Sequence, residues 1–240
     1  MTNVKKPAAE PEFHGDAATV VLLRDSATGP EVLLLERLRH KGSFAGAWVF
    51  PGGYVDPEDR HDDDSDAAAR RAGARETFEE TGLRIGVEEL VHLSVWLPPA
   101  SAPKRLRTWF FLTHAPDAEI VLSPDEHLDH LWMRPADLLE RHGRGEVSLV
   151  TPTWVTLHGL AGVPSVGEAL SAAAGAAPET FRSRMLSLPG GGRAVAWDGD
   201  AEYDAGAPAG APASAARMVG GAARHRLDMS SLPWVYSRTD

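Results

Sequence analysis

Short apolar runs separated by polar turns predict a chain in which strands and helices alternate. Residues 17–24 and 31–38 are rich in β-branched and apolar side chains, and the Gly-Pro turn between them predicts a strand pair. Further strands are predicted at residues 91–97, 108–113 and 131–133. The pattern therefore predicts several strands interrupted by helical segments.

Helices are predicted where proline is absent or stands at a first helical position. Residues 67–81 are rich in alanine, arginine and glutamate, with Ser65 or Asp66 as the N-cap and Gly82 as the end. Three shorter helices are predicted at residues 135–141, 153–160 and 165–174.

The last third of the chain has a weaker pattern. Residues 185–197 predict a hairpin, and residues 205–216 form an Ala/Pro/Gly/Ser tract that is typical of a flexible linker. Apolar residues return at 224–236, which we expect to pack back on the body of the protein. We therefore predict a flexible lead-in, a main domain and a C-terminal extension at residues 1–14, 15–145 and 146–240.

Composition excludes several classes of function. Thirty-four acidic and 24 basic side chains give a net charge of −10, which disfavours binding to nucleic-acid backbones. The absence of cysteine excludes disulfides, thiolate nucleophiles and zinc–thiolate sites. The apolar runs are too short to span a bilayer, and no secretory signal follows Met1. We therefore expect a cytoplasmic protein without nucleic-acid or membrane partners.

The most informative segment is residues 75–83, with the sequence RETFEETGL. On a helix, Glu76 lies three and four residues before Glu79 and Glu80, so the three carboxylates share one side. Their mutual repulsion is relieved either by a neighbouring arginine or by a bound divalent cation. The residues alone leave two interpretations open, a solvated acidic face and a metal site.

This segment resembles the Nudix box, the signature of hydrolases that cleave a diphosphate linked to a nucleoside or another moiety. The box reads Gly, five residues, Glu, seven residues, and then Arg-Glu-U-x-Glu-Glu-x-Gly-U, where U is a bulky aliphatic residue. The residues that match are Gly52, Glu58, Arg75, Glu76, Glu79, Glu80, Gly82 and Leu83.

Two departures from the box stand out. Sixteen residues separate Glu58 from Arg75 where the box has seven, and Thr77 replaces the expected aliphatic residue. Because the nine extra residues lie outside the predicted helix, we expect the carboxylates to keep their arrangement. The insertion leaves the position of Glu58 open.

The resemblance implies a fold and a set of roles. The implied fold is an α/β class, Nudix-type α/β/α sandwich with a mixed sheet, followed by a helical and partly irregular C-terminal extension. Glu76, Glu79 and Glu80 would bind Mg²⁺ or Mn²⁺, which neutralises phosphate charge and helps to activate water. Arg75 would orient these glutamates. The general base is a box glutamate, Glu76 or Glu79, or else Glu126, which also fits an exposed loop acid.

Residues 33–53 are similar to a further signature, that of the coenzyme A branch of the Nudix family. It reads Leu-Leu-Thr-x-Arg-(Ser/Ala)-x3-Arg-x3-Gly-x3-Phe-Pro-Gly-Gly. The identities are Leu33, Leu34, Arg37, Gly46, Phe50, Pro51, Gly52 and Gly53, and the departures are Leu35, Leu38 and Gly42. The similarity implies hydrolysis of coenzyme A or acyl-CoA to a phosphopantetheine product and adenosine 3′,5′-bisphosphate, with Arg37, Gly52 and Gly53 as binding residues.

Other interpretations stay open for the substrate and for several side chains. ADP-ribose or another nucleoside diphosphate derivative is the alternative small-molecule substrate, and a non-catalytic binding module is the alternative function. The basic candidates for a substrate phosphate are Arg37, Arg39, His40, Lys41, Lys104, Arg105 and Arg107, although residues 104–107 also fit a solvated loop. His127 and His130 are predicted to be surface histidines. The extension from Pro164 onward either closes over the site or forms a homodimer interface.

Overall fold

The computed structural model describes residues 13–40, 44–61, 64–203 and 223–239. The strands are β1 (Gly15–Arg24), β2 (Glu31–Arg37), β3 (Trp48–Val49), β4 (Gly52–Tyr54), β5 (Val91–Leu97), β6 (Leu106–His114), β7 (His127–Met133), β8 (Glu179–Arg182), β9 (Arg184–Ser187), β10 (Arg193–Ala196), β11 (His225–Asp228) and β12 (Val235–Arg238). The α-helices are α1 (Ser65–Thr81), α2 (Pro135–Gly143), α3 (Thr151–Leu160) and α4 (Val166–Gly175). Single-turn 3-10 helices lie at Pro57–Asp59, Val87–Glu89 and Pro189–Gly191. Most of the predicted lead-in, the predicted linker at 205–216 and Lys41 lie outside the described residues.

Eight strands form one mixed sheet at the centre of the molecule. Its order is β3-β2-β1-β6-β5-β8, with β4 paired to β1 and β7 paired to β2. The pairs β1–β6 and β5–β8 are parallel, whereas the other pairs are antiparallel. Successive residues of β1 pack alternately against α1 on one face and against α2, α3 and α4 on the other. The predicted α/β/α sandwich with a mixed sheet is therefore confirmed.

Helix α1 lies close to the sheet because its inner face is made of small residues. Ala68, Ala69 and Ala72 are buried in one cluster with Val20. A Cβ added to Gly73 would lie 3.0 Å from the side chain of Val20, so glycine permits this approach within the helix. The short distance between helix and sheet brings the carboxylates of α1 toward the strand ends.

Capping residues set both ends of α1. The side chain of Asp64 accepts hydrogen bonds from the backbone N–H groups of Asp66 and Ala67, so Asp64 is the N-cap. The prediction of Ser65 or Asp66 as the cap is wrong, because the helix begins before the alanine-rich run. Gly82 ends the helix as predicted, in the left-handed conformation that glycine adopts without steric cost.

Aromatic side chains fill the opposite face of the sheet. The rings of Trp96 and Phe181 stack with their centroids 4.0 Å apart, and the fully buried Trp197 meets both of them edge-on. Phe181 lies on β8, which extends the main sheet by pairing with β5. The domain boundary between residues 145 and 146 stays a prediction, and the structure adds that the extension contributes a strand to the main sheet.

The extension contains the two predicted helices α3 and α4 together with a second sheet in the order β12-β11-β10-β9. The predicted hairpin is present as β9 and β10, which join through the turn at Pro189–Gly191. Trp234 and Tyr236 pack on the main core, so the terminal stretch folds back on the body as expected. Among the described residues, no helix combines the length and the apolar character that crossing a membrane requires.

Candidate active site

Gly52 and Gly53, at the start of β4 and called the glycine turn below, place backbone atoms directly against β1 and helix α1. A Cβ on Gly52 would overlap the carbonyl oxygen of Ala18 on β1, with which β4 pairs. A Cβ on Gly53 would overlap the carboxylate of Glu76. Position 52 therefore requires glycine for strand pairing, because the atoms that a Cβ would meet there are backbone atoms, whereas a side chain at position 53 would displace the carboxylate of Glu76.

Glu80 is the most deeply buried of the three box glutamates. Its relative exposure is only 3%, and both of its carboxylate oxygens have hydrogen-bond partners in the protein. The backbone N–H of Gly52 donates to Oε2 at 2.8 Å. Oε1 lies 2.8 Å from Nε2 of the buried His127. Two separate segments of the chain therefore hold this carboxylate in place.

Glu76 lies one helical turn before Glu80 and faces Gly53. Its side chain is 15% exposed, and Nη1 of Arg75 donates to its Oε1 at 2.9 Å. Burial raises the pKa of Glu76 to about 7, with smaller contributions from the negative charges of Glu80 and Glu79, although Arg75 opposes the shift. A nearby cation would favour the ionised form of this carboxylate.

Arg75 connects the acidic face of α1 with the loop that precedes the helix. Its guanidinium donates to Oδ2 of Asp59 at 2.9 Å and to the carbonyl oxygen of Tyr54 at 2.9 Å. The same group contacts Glu76 and, at 3.0 Å, Glu79, whose side chain is 53% exposed. The hydrogen bond with Asp59 raises the pKa of Arg75 above its ordinary value. Arg75 therefore contacts two of the three box glutamates.

In the interrupted box, the acidic residue that reaches the helix is Asp59. Glu58, which matches the box, is exposed, whereas the next residue, Asp59, is buried and pairs with Arg75. The backbone N–H of Asp56 donates to Asp59 at 3.0 Å, which fixes the side chain within the turn at Pro57–Asp59. The sequence pattern missed Asp59 because the box aligns its neighbour.

The loop before β7 docks on the carboxyl end of α1. The N–H groups of Val121 and Ser123 donate to the carbonyl oxygens of Thr81 and Glu80 at 2.8 and 3.1 Å. These are among the carbonyls that the end of a helix leaves without intrahelical partners. The loop is thus held to the helix by its backbone, and it delivers the next two residues of the site.

Glu126 and His127 complete a group of potential metal ligands with Glu80. One ligand atom from each of the three residues lies within 4.8 Å of the others. Glu126 is exposed and His127 is buried. The prediction of a surface histidine at position 127 is therefore wrong, because β7 pairs with β2 and turns this side chain toward α1. The sequence offered no signal for its burial beyond its place at the start of a strand.

Arg37 ends strand β2 beside this group. In the pairing of β2 with β7, Arg37 is the partner of His127, just after an irregularity in the register between Glu36 and Arg37. Its Nε is buried and has no hydrogen-bond partner among the residues that the structure describes. A buried donor of this kind costs free energy unless an acceptor reaches it.

The basic residues at 104–107 have contacts of their own. Nε of Arg107 donates to Asp16 at 2.6 Å, and Arg105 is buried and donates to a backbone carbonyl. Lys104 lies over the ring of Tyr54, with its Nζ 4.4 Å from the centroid. Arg105 and Arg107 therefore support the fold, which leaves Lys104 as the more available charge in this segment.

A comparison with protein-family models identifies the family to which this site belongs. A model described as the NUDIX domain matches residues 13–151, which is more than half of the chain. The chain belongs to the Nudix family. This result confirms the resemblance at the level of the family, and it does not specify the coenzyme A branch.

The solved structures that match this chain include Nudix proteins. A NUDIX hydrolase from Alicyclobacillus acidocaldarius has a TM-score of 0.61 and 26% identity, and the match covers 68% of this chain and 97% of that chain. A MutT NUDIX hydrolase from Burkholderia pseudomallei has a TM-score of 0.46 and 25% identity, with coverage of 60% and 95%. A C. elegans Ap4A hydrolase in a binary complex has a TM-score of 0.40 and 26% identity, with coverage of 60% and 94%. The search of the curated proteins found no match. The family match and the first of these structures support a diphosphate hydrolase.

The residues of this Nudix site fit a divalent cation. Glu80 is buried, Glu76 lies one helical turn before it with a side chain that is 15% exposed, and Glu126 adds a carboxylate near Glu80. Oxygen donors suit Mg²⁺ and Mn²⁺, and an imidazole at the site is compatible with Mn²⁺. A cation would also offset the repulsion that contributes to the raised pKa of Glu76.

Proposed function

We propose that this Nudix hydrolase cleaves the diphosphate of coenzyme A or an acyl-CoA. Hydrolysis adds water across one P–O bond of the diphosphate and releases a phosphopantetheine product and adenosine 3′,5′-bisphosphate. The observation that carries the proposal is Arg37, which belongs to the coenzyme A-like segment and lies opposite His127 with a buried, unpartnered Nε among the described residues. A guanidinium is well suited to bind phosphate oxygens.

In this proposal Glu76 and Glu80 hold Mg²⁺ or Mn²⁺, with Glu126 next to Glu80, and Glu79 serves either as a further ligand or as the general base. When bound, the cation supplies positive charge that offsets the charge of the diphosphate. Arg75 keeps Glu76 and Glu79 in position through its contacts with both residues. The glycines of the turn contribute backbone groups at close range, since Gly52 already donates to Glu80.

The general base is proposed to be one of the two exposed carboxylates, Glu79 or Glu126. Glu80 is buried, Glu76 is partly buried, and both have partners in the protein, so they are better suited to hold a cation than to exchange protons with solvent. Glu79 and Glu126 are both exposed to water. Either one can accept a proton from a water molecule that attacks phosphorus.

Product analysis with coenzyme A and ADP-ribose, in Mg²⁺ and then in Mn²⁺, tests the proposal. We expect adenosine 3′,5′-bisphosphate from coenzyme A, and turnover of ADP-ribose with coenzyme A left intact would contradict the substrate assignment. Glu80→Gln should lower turnover by about 10²–10³-fold while the circular dichroism spectrum stays unchanged. A folded wild-type protein that hydrolyses neither compound would instead favour a binding module or a different diphosphate.

A matched pair of arginine variants tests the role of Arg37. Arg37→Gln should lower kcat/KM for coenzyme A by about tenfold or more, because it removes a charged donor for phosphate. Arg24→Gln is the control, since Arg24 forms a surface ion pair with Glu31 at the end of β1. Equal kcat/KM for coenzyme A in Arg37→Gln and Arg24→Gln would contradict a role of Arg37 in binding the substrate, and the substrate assignment would lose its main support.

A further inference from the structure

We infer that His127 is a positioning residue for Glu80, and that its imidazole holds the carboxylate in the orientation in which it binds the cation. The inference rests on the proposed function in one respect, the role of Glu80 as a metal ligand. It concerns a residue outside the box, separated from Glu80 by 47 positions in the sequence.

The hydrogen bonds of Glu80 define its orientation completely. Gly52 donates from the turn to Oε2, and His127 lies at the same distance, 2.8 Å, from Oε1. When Glu80 is the ionised ligand of a cation its carboxylate only accepts hydrogen bonds, so the imidazole then donates from Nε2. The carboxylate is then fixed at both oxygens, and its remaining lone pairs point in set directions.

The position of His127 is fixed by backbone hydrogen bonds that connect its loop to the C-terminal end of α1. Its backbone N–H donates to the carbonyl oxygen of Ser123, and Ser123 donates to the carbonyl oxygen of Glu80. The side chain is buried, so water does not compete for the contact with Glu80. The other ring nitrogen, Nδ1, has no hydrogen-bond partner among the described residues. The contact of Nε2 with Glu80 is therefore the hydrogen bond that this imidazole makes in the part of the chain that the structure describes.

Hydrogen-bond partners of metal-binding side chains commonly change metal affinity by one to two orders of magnitude. We therefore expect His127→Ala to raise the dissociation constant for Mn²⁺ by about 10–100-fold. His127→Gln places an amide N–H₂ near the position of Nε2, so we expect it to restore Mn²⁺ affinity to within about threefold of the wild type. His130→Ala, on the same strand, is the control and should bind Mn²⁺ like the wild type.

The experiment is an equilibrium titration of the full chain with Mn²⁺, followed by electron paramagnetic resonance of free Mn²⁺, with circular dichroism as the check of folding. Wild-type affinity in His127→Ala would overturn the inference. Weak binding by folded His127→Gln and His127→Ala alike would also overturn it, and would indicate direct ligation by the imidazole instead. If His127→Ala does not fold, His127→Gln is compared with His127→Asn, whose shorter side chain leaves its amide short of Glu80.

Because the titration contains no substrate, its outcome is separable from that of the proposed function. A wild type that leaves coenzyme A intact would overturn the substrate assignment and leave the Mn²⁺ series unaffected. Rescue by His127→Gln distinguishes positioning from a merely structural contribution, since a structural effect would change the unfolding temperature without following the presence of a donor at this position.

Discussion

The two faces of the main sheet are covered by different kinds of side chain. On the α1 face, small residues let the helix approach and place Glu76 and Glu80 against the glycine turn. On the other face, Trp96, Phe181 and Trp197 fill the space between the sheet and the C-terminal extension. One face keeps like charges close together, which costs stability, and the other contributes a large apolar burial.

This difference indicates how the fold stays stable although the carboxylates of the candidate site are destabilising. Crowded, buried carboxylates raise the free energy of the folded protein unless a cation is bound, as the raised pKa of Glu76 indicates. The aromatic face supplies stability that does not depend on metal. We therefore expect variants on the aromatic face to change stability, and variants on the acidic face to change metal binding, activity and the response to pH.

The largest expected effect is on the aromatic face. Trp197→Ala should lower the free energy of unfolding by about 4 kcal/mol, because the side chain is fully buried and the large cavity left behind cannot collapse completely. The variant also loses the hydrogen bond from Nε1 to Ser183. Urea denaturation measures the change, with Leu232→Ala, which alters an exposed side chain of the extension, as the control. A large loss of turnover in the folded variant, without a loss of stability, would contradict the division between the faces.

The second effect is the pH dependence that Glu76 confers on the metal-free protein. Because burial raises its pKa from an ordinary value of 4.5 to about 7, the folded state holds this proton more tightly than the unfolded state. The unfolding free energy should therefore fall as the pH rises from about 4.5 to about 7. Glu76→Gln should remove this decline and be about 3 kcal/mol more stable than the wild type at pH 8.

Urea denaturation in EDTA between acidic and mildly alkaline pH measures this difference. Identical pH profiles of the unfolding free energy in the wild type and in Glu76→Gln would show that ionisation of Glu76 does not destabilise the metal-free protein. Saturating Mn²⁺ should reverse the order, because the wild type then gains binding free energy that the variant has lost.

The smallest expected effect is a difference in kcat/KM between variants of two adjacent acidic residues in the interrupted box. Asp59→Asn should lower kcat/KM by about tenfold, because it weakens the pairing that orients Arg75 toward the glutamates. Glu58→Gln should leave kcat/KM unchanged, since Glu58 is exposed. Steady-state kinetics on one substrate checks both variants. A larger loss of kcat/KM in Glu58→Gln than in Asp59→Asn would instead support the role that the box pattern suggests for Glu58.

Local patterns predicted most of the strands, the four α-helices and the carboxylates of α1, because these depend on neighbouring residues. The N-cap was misplaced, since Asp64 and Ser65 are both good caps and the choice depends on where the preceding loop enters the helix. The burial of His127 was missed for a different reason. A histidine at the start of a strand is exposed or buried according to what lies against it, and here Glu80 at the end of α1 contacts its ring.

The sequence by itself determined the family and the acidic side of α1, because the spacing of Glu76, Glu79 and Glu80 acts through helical periodicity alone. Only the tertiary structure decided that Asp59 meets Arg75 and that His127 meets Glu80, across 16 and 47 positions of the chain. Such contacts depend on how an inserted loop closes and on which strand pairs with which. Both are settled by packing across the whole molecule, and no local pattern of residues encodes them.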